Sequence, residues 1–226
     1  MTTAPPLETN TTVETLETTI SNTGCGTEQL CAAEPSSCDP SSPGSCFFLA
    51  AKQQSGQNFE FGLAGESDGY LAASLSPDGT LGGNDTTYIC ANNNGAVKFI
   101  GALLNNGKLT EKELNVNSVK GKVDGKTIQC TFAATVPDAV ARTTGFSLAI
   151  STGPYDSNTG NLGAPSTQLK SPVVDLGNPS ATVTNEIAAN TTASPNTTAS
   201  GYSFTLKQPM TQTLLISAGV LGLAML

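Results

Sequence analysis

Six cysteines and a complete lack of histidine bound the chemistry open to this 226-residue chain. Without an imidazole, nucleophilic catalysis of the Ser–His or Cys–His kind is excluded. Zinc would need closely paired CxxC ligands or a Cys/His mixture, and neither pattern occurs. An even number of cysteines in a chain of this size reads instead as a disulfide framework, formed in an oxidising compartment. Cys25, Cys31, Cys38 and Cys46 fall close together among prolines and serines. Bonds must hold such a segment where regular structure does not, and the spacing leaves all three pairings of the four open. Cys90 and Cys130 each sit within an alternating apolar run, on faces that can both point inward. A bond between them would pin two strands across a core that lacks tryptophan; the alternative is two buried thiols, which an oxidising compartment disfavours. Two convergent carboxylates could support hydrolysis, and Asp78 and Asp85 on neighbouring turns are the best candidates. Aspartate at such positions generally serves the turn backbone, and the oxygen spacing matches no known calcium loop. No catalytic, cofactor-binding or metal-ligating residue is therefore assigned, and the protein is expected not to be an enzyme.

Modification sites are more numerous. Asn10, Asn84, Asn190 and Asn196 each open an N-x-T sequon. The tandem pair in the Thr-rich stretch NTTASPNTTAS is the stronger evidence for glycan attachment, and use of Asn84 depends on its exposure. The C-terminal segment has three zones. Small residues come first (Ala199, Ser200, Gly201), then a polar spacer to about Gln212, then an uncharged apolar run over 214–226. This is the order of a GPI-attachment signal. The run is short for a transmembrane helix, which needs about 20 residues; a tail-anchored helix and an ordinary apolar strand are the two alternatives to the lipid anchor. Ala199 is the expected attachment residue, since it leaves Ser200 and Gly201 behind it; Ser200 is the runner-up. Met1 is followed by no apolar leader. Entry to the secretory pathway then calls for a true N-terminus upstream of Met1, a missing upstream exon, or insertion by the tail itself, with the missing exon as the favoured account.

These residues must be positioned by a β-rich scaffold. Charged side chains make up 12% of the chain and the net charge is −8, which disfavours a nucleic-acid partner. The lysines over 108–126 are diluted by Glu111, Glu113 and Asp124 and read as a solvated face. Residues 1–24 are Thr-rich with almost nothing to bury, and are expected to form a disordered arm. From Phe47 to about Val174 the hydrophobic period is two, as in Phe59/Phe61/Leu63, Leu71/Ala73/Leu75, Ile128/Cys130/Phe132/Ala134 and Phe146/Leu148/Ile150. That spacing predicts half-buried strands. Pro77-Asp78-Gly79, Asn94-Gly95, Asn106-Gly107 and Asp124-Gly125 supply turns between them. About eight strands in an antiparallel sandwich are expected, with 109–114 the only candidate helix. The expected organisation is an arm (1–24), a Cys-rich lead-in plus sandwich (25–175), a glycosylated stalk (176–200) and the hydrophobic signal (201–226).

Several runs resemble a known family. CGTEQLCAAEPSSCDPSSPGSCFFLAA, over 25–51, is similar to the lead-in of the DOMON domain in ferric-chelate-reductase-like proteins. So is GYLAASLSPDGTLGGND, over 69–85, followed by Cys90, then by Cys130 in IQCTF and by the turn Thr152-Gly153-Pro154. The resemblance covers about 25–174 and implies an all-β, antiparallel, Ig-like β-sandwich. Many DOMON domains hold a b-type haem through a Met and a His, and others are thought to bind sugars or other ligands. Here Leu81 occupies the Met position, and no His can follow the TGP turn, where 155–167 offers only Asn, Asp, Ser, Thr and Tyr as polar side chains. Haem iron needs a strong axial donor such as His, Cys or Met, so haem is disfavoured and no cofactor is expected. Larger members add a multi-helix cytochrome segment that moves electrons across the membrane, whereas this sequence carries one short apolar tail.

The leading expectation is a non-catalytic, GPI-anchored glycoprotein on the extracellular face of the cell membrane, binding an extracellular ligand or protein. A haem or redox accessory related to ferric-chelate reductase is the first alternative. A rigid surface spacer between glycosylated arms is the second.

Overall fold

The computed structural model describes residues 4–42, 45–137 and 145–187. Twelve strands form along it: β1 (Glu14–Thr15), β2 (Leu30–Glu34), β3 (Phe47–Ser55), β4 (Asn58–Glu66), β5 (Tyr70–Ser76), β6 (Gly83–Asn93), β7 (Ala96–Asn105), β8 (Lys108–Glu111), β9 (Val116–Asp124), β10 (Thr127–Thr135), β11 (Gly145–Gly153) and β12 (Ser166–Asp175). They make two six-stranded sheets, ordered β1-β9-β10-β4-β3-β2 and β12-β11-β5-β6-β7-β8. Pairing is antiparallel throughout except at β1, which lies parallel to β9. The sheets stack as the β-sandwich that the alternation predicts.

Hairpin geometry follows the turn dipeptides. Asn94 and Gly95 have φ of 55° and 87°, and Asn106 and Gly107 have 47° and 75°. Positive φ at both central residues gives the turn whose twist matches the flanking strands. The alternating apolar residues face inward into one core, where Phe59, Phe61, Leu63, Leu71, Leu75, Ile128, Phe132, Phe146, Leu148 and Ile150 are fully buried. Phe61 and Phe132 stack with ring centroids 5.3 Å apart, and Tyr88 tilts against both.

Four expectations change. Strands were expected to be half-buried, yet all seven residues of β5 are buried. The outer positions carry small side chains such as Ala72, Ala91 and Ala102, and these form a second apolar cluster with Ile89 and Ile100 beneath Leu109, Tyr155 and Leu162. Most of the expected disordered arm is ordered. Its backbone bonds to the sandwich at Asn10 N–H to Val116 O (2.7 Å) and Leu16 N–H to Gly121 O (3.1 Å). Asn58, Asn115 and Asn117 donate side-chain N–H groups to the carbonyls of Pro5, Leu7 and Glu8. Leu16 and Ile20 are buried with Phe48, Ala50 and Ala64 on the outer face of the first sheet. Two apolar anchors and side-chain amides from the sheet suffice to offset the ordering entropy that its Thr-rich composition suggests is prohibitive. The stalk begins later than residue 176. Leu176 is buried, Ala181 and Val183 pack on the core, and Asn185 Nδ2 donates to Gln168 O and to Glu34 Oε2. The candidate helix over 109–114 is instead part strand, because β8 pairs with the end of β7.

Candidate functional site

Three disulfides lock the frame. Cys25 pairs with Cys31 and Cys38 with Cys46, closing short loops in the lead-in. Cys90 on β6 pairs with Cys130 on β10, with Cα atoms 6.6 Å apart, and so ties one sheet to the other through the core.

The two positions at which the resemblance would seat a haem fall on the second sheet. In the pairing of β5 with β11, Tyr70 lies opposite Gly153 and Ser76 opposite Ser147. The TGP turn therefore adjoins Tyr70, whereas Leu81 lies beyond Ser76 in the β5–β6 hairpin. Six residues of strand separate these ends, roughly 20 Å at about 3.3 Å per residue. The loop after the turn stays at the Tyr70 end. Ser157 Oγ donates to Asn94 Oδ1 (3.0 Å), Tyr70 Oη donates to Gly163 O (3.0 Å), and Lys98 Nζ sits 5.8 Å above the Tyr155 ring. Glycine is required where this loop meets the sheet, because a Cβ on Gly69 would lie 2.3 Å from Gly153 O and 2.6 Å from Tyr155 N. Burial pushes the Tyr70 phenol well above its ordinary pKa, so it acts as a neutral hydrogen-bond donor. The structure does not bring the Leu81 position and the Tyr155–Thr167 loop together, and neither supplies an imidazole or thioether. The donor set does not fit a haem held in the family's manner.

Asp78 and Asp85, the paired-carboxylate candidates, share the β5–β6 hairpin but differ in environment. Asp78 is exposed, and its Oδ1 accepts from Thr80 N–H (2.8 Å) and Ser76 Oγ (2.9 Å). Those donors hold its carboxyl below the ordinary range. Asp85 is 1% exposed on β6. Its Oδ2 accepts from Gly82 N–H (2.6 Å), while Oδ1 is buried with no hydrogen-bond partner. Burial pushes the Asp85 carboxyl up, partly offset by the Gly82 N–H and the nearby Ser76 hydroxyl. By sequence both read as turn aspartates; only Asp78 is one, and Asp85 lies within β6. Among the described residues there is no group of three or more His, Cys, Asp or Glu side chains placed to hold a metal.

Of the sequons, Asn10 and Asn84 are exposed. Asn10 Oδ1 accepts from Thr12 N–H (3.1 Å) within its own N-x-T triplet, and Asn84 sits at φ 70° where β6 bulges against β7. Asn190, Asn196, Ala199 and Ser200 lie outside the described residues, as does the apolar run over 214–226. No helix among the described residues is long and apolar enough to cross a membrane. A surface cleft of about 380 Å³ opens between the arm and β7, lined by Thr9, Thr11, Lys98, Gly101, Glu111 and Lys112 among others.

These features define a disulfide-locked β-sandwich domain with strapped outer faces. Similar sequence occurs in ferric-chelate reductase 1 proteins. The chain is 32% identical over 188 residues to the putative ferric-chelate reductase 1 of Danio rerio, which is 79% of this chain and 32% of that protein. It is 30% identical over 115 residues to the putative ferric-chelate reductase 1 of Xenopus laevis, 50% of this chain and 19% of that protein. Against human ferric-chelate reductase 1 it is 35% identical over 88 residues, 39% of this chain and 14% of that protein. The chain thus spans about a third or less of the length of these relatives. No family model matches it.

Proposed function

We propose that this chain is a DOMON-type sandwich domain that works outside the cell as a non-catalytic binding module, carrying glycans at its sequons and held at the membrane surface by a GPI anchor at Ala199. The observation that carries the non-catalytic reading is the pair of positions just described. Leu81 and the 155–167 loop offer no strong axial donor, and they lie at opposite ends of the second sheet. The three disulfides support an oxidising compartment. The exposed Asn10 and Asn84 support glycosylation, and the small–polar–apolar order of the C-terminal segment supports the anchor. Phosphatidylinositol-specific phospholipase C applied to expressing cells tests the anchor: the protein is expected in the medium, and retention on the cells refutes it. Purified protein tests the binding-module reading, with no Soret absorbance and no stoichiometric iron expected.

A second reading, a redox accessory that works beside a ferric reductase, is favoured by the names of the relatives. A Soret band with stoichiometric iron in the purified chain would select it over the first.

A further inference from the structure

The end of the arm is clamped between the first sheet and the two cystine loops of the lead-in. Leu16 and Ile20 pack on Phe48, Ala50 and Ala64, and Cys46 belongs to the same cluster, with Cys25, Cys31 and Cys38 packed against it. Gln129, buried on β10, joins the three parts. Its Oε1 accepts the Ile20 N–H (3.0 Å) and its Nε2 donates to Pro40 O (3.4 Å), inside the Cys38–Cys46 loop. Asn22 N–H donates to Asp39 Oδ1 (3.4 Å) in that same loop. Cys25 follows the arm directly and is bonded to Cys31, which lies opposite Ala50 in the pairing of β2 with β3. Both loops thus bear on residues 16–22.

The three disulfides differ in access. Cys90 and Cys130 are 0% exposed, so no thiolate reaches either sulfur while the core is closed. Cys25, Cys31 and Cys38 are only half-buried. Accessible disulfides are the ones open to exchange, whereas sealed ones resist it. The lead-in bonds close separations of 6 and 8 residues against 40 for the core bond, so opening them removes less of the constraint on the unfolded chain. With the core bond intact, the sandwich keeps its tie between sheets.

We propose that the lead-in is a redox latch: a dithiol reductant opens Cys25–Cys31 and Cys38–Cys46, and segment 14–22 then lifts off the first sheet and uncovers Phe48, Ala50 and Ala64. One thiolate of the reductant attacks a half-buried cystine sulfur and forms a mixed disulfide. Its second thiol closes on the first and expels the remaining cysteine. Per bond, two electrons and two protons pass to the protein, leaving two cysteine thiols and one oxidised dithiol.

The test uses the purified full chain, with dithiothreitol in native buffer as the dithiol. Free thiols are alkylated and located by mass spectrometry. Hydrogen exchange is read at the Leu16 and Ile20 amides, which donate to Gly121 O and Gln129 Oε1. Alkylation is expected at Cys25, Cys31, Cys38 and Cys46, with none at Cys90 or Cys130. Exchange at the two amides is expected to rise by roughly tenfold or more, with β4 and β10 unchanged. A variant combining Cys25→Ser, Cys31→Ser, Cys38→Ser and Cys46→Ser is expected to show the fast exchange without reductant and no further change with it. The measurement on the unaltered chain stands whether or not that variant folds. Three results would overturn the proposal: lead-in bonds that stay closed in dithiothreitol, a core bond that opens with them, or open lead-in bonds with exchange at Leu16 and Ile20 unchanged.

Discussion

Replacing Tyr88 by phenylalanine is expected to stabilise the protein. Tyr88 is 1% exposed in the middle of the core, its ring 5.5 Å from that of Phe61 and 5.0 Å from that of Phe132. Its hydroxyl is buried with no hydrogen-bond partner, and burial drives its pKa far above the ordinary value. An unsatisfied buried hydroxyl costs about 1–3 kcal/mol, and Tyr88→Phe removes that penalty while keeping the ring contacts. Against this stands the small void left by one oxygen. At about 24 cal/mol per Å³, roughly 10 Å³ of space costs about 0.2 kcal/mol. The net expectation is a gain of about 1 kcal/mol, or a Tm rise of roughly 2–4 °C in a domain of this size. Urea unfolding of the two proteins side by side would measure it, with an unchanged m-value showing that the same surface is exposed. A loss of 1 kcal/mol or more in Tyr88→Phe would refute the reasoning, because it would mean that the hydroxyl has a buried partner.

Three further outcomes follow from the frame. Replacing Cys90 and Cys130 together by alanine opens the bond that ties the sheets across a separation of 40 residues; the chain-entropy estimate for that loop is a loss of about 4 kcal/mol, read by urea unfolding. Leu16→Ala is expected to cost about 2–4 kcal/mol if the strap unfolds with the domain, and hydrogen exchange at the Leu16 and Ile20 amides would show whether the strap detaches on its own. Gly69→Ala pushes a methyl group into Gly153 O and Tyr155 N. It is expected to cost roughly 1–3 kcal/mol and to raise exchange in the loop after the TGP turn, with a neutral result arguing that this loop is not held against Tyr70.

The inner faces of the sandwich were legible because one physical rule decides them. Side chains two apart on a strand share a face, so Ile128, Cys130, Phe132 and Ala134 had to point together, and they do so against Phe61 and Tyr88. The hairpins at Asn94-Gly95 and Asn106-Gly107 were legible for a similar reason, since few residues accept positive φ at low strain. The outer faces were not. Ala72, Ser74 and Ala149 look like the solvent side of a half-buried strand, and nothing local marks them as buried. The arm was misread because composition averages over it. A threonine-rich segment has little to bury on average, but an extended segment needs only an anchor such as Leu16 or Ile20 wherever it meets a sheet, while side chains of that sheet, Gln129 among them, bond its backbone.

The candidate site shows the same limit more sharply. Asp78 and Asp85 are the same residue type, seven positions apart, in one hairpin. Asp78 behaves as a turn aspartate, accepting the N–H two residues on. Asp85 does not, because the ladder places it opposite Leu104 on an outer face that is closed rather than wet. Which carboxylate keeps its water is settled by what lies across the sheet, at a distance no local pattern reaches. Ion pairs among the described residues are no guide either: Lys52 with Glu28 and Lys126 with Asp68 are exposed pairs worth little in water. In this hairpin the buried group is the Asp85 carboxyl, which takes the Gly82 N–H at Oδ2 and keeps Oδ1 sealed from solvent. Burial makes its charge expensive and pushes its pKa up, while the Gly82 N–H and the Ser76 hydroxyl pull the other way, so one carboxylate is tuned by the far side of the sheet and its neighbour by its own turn.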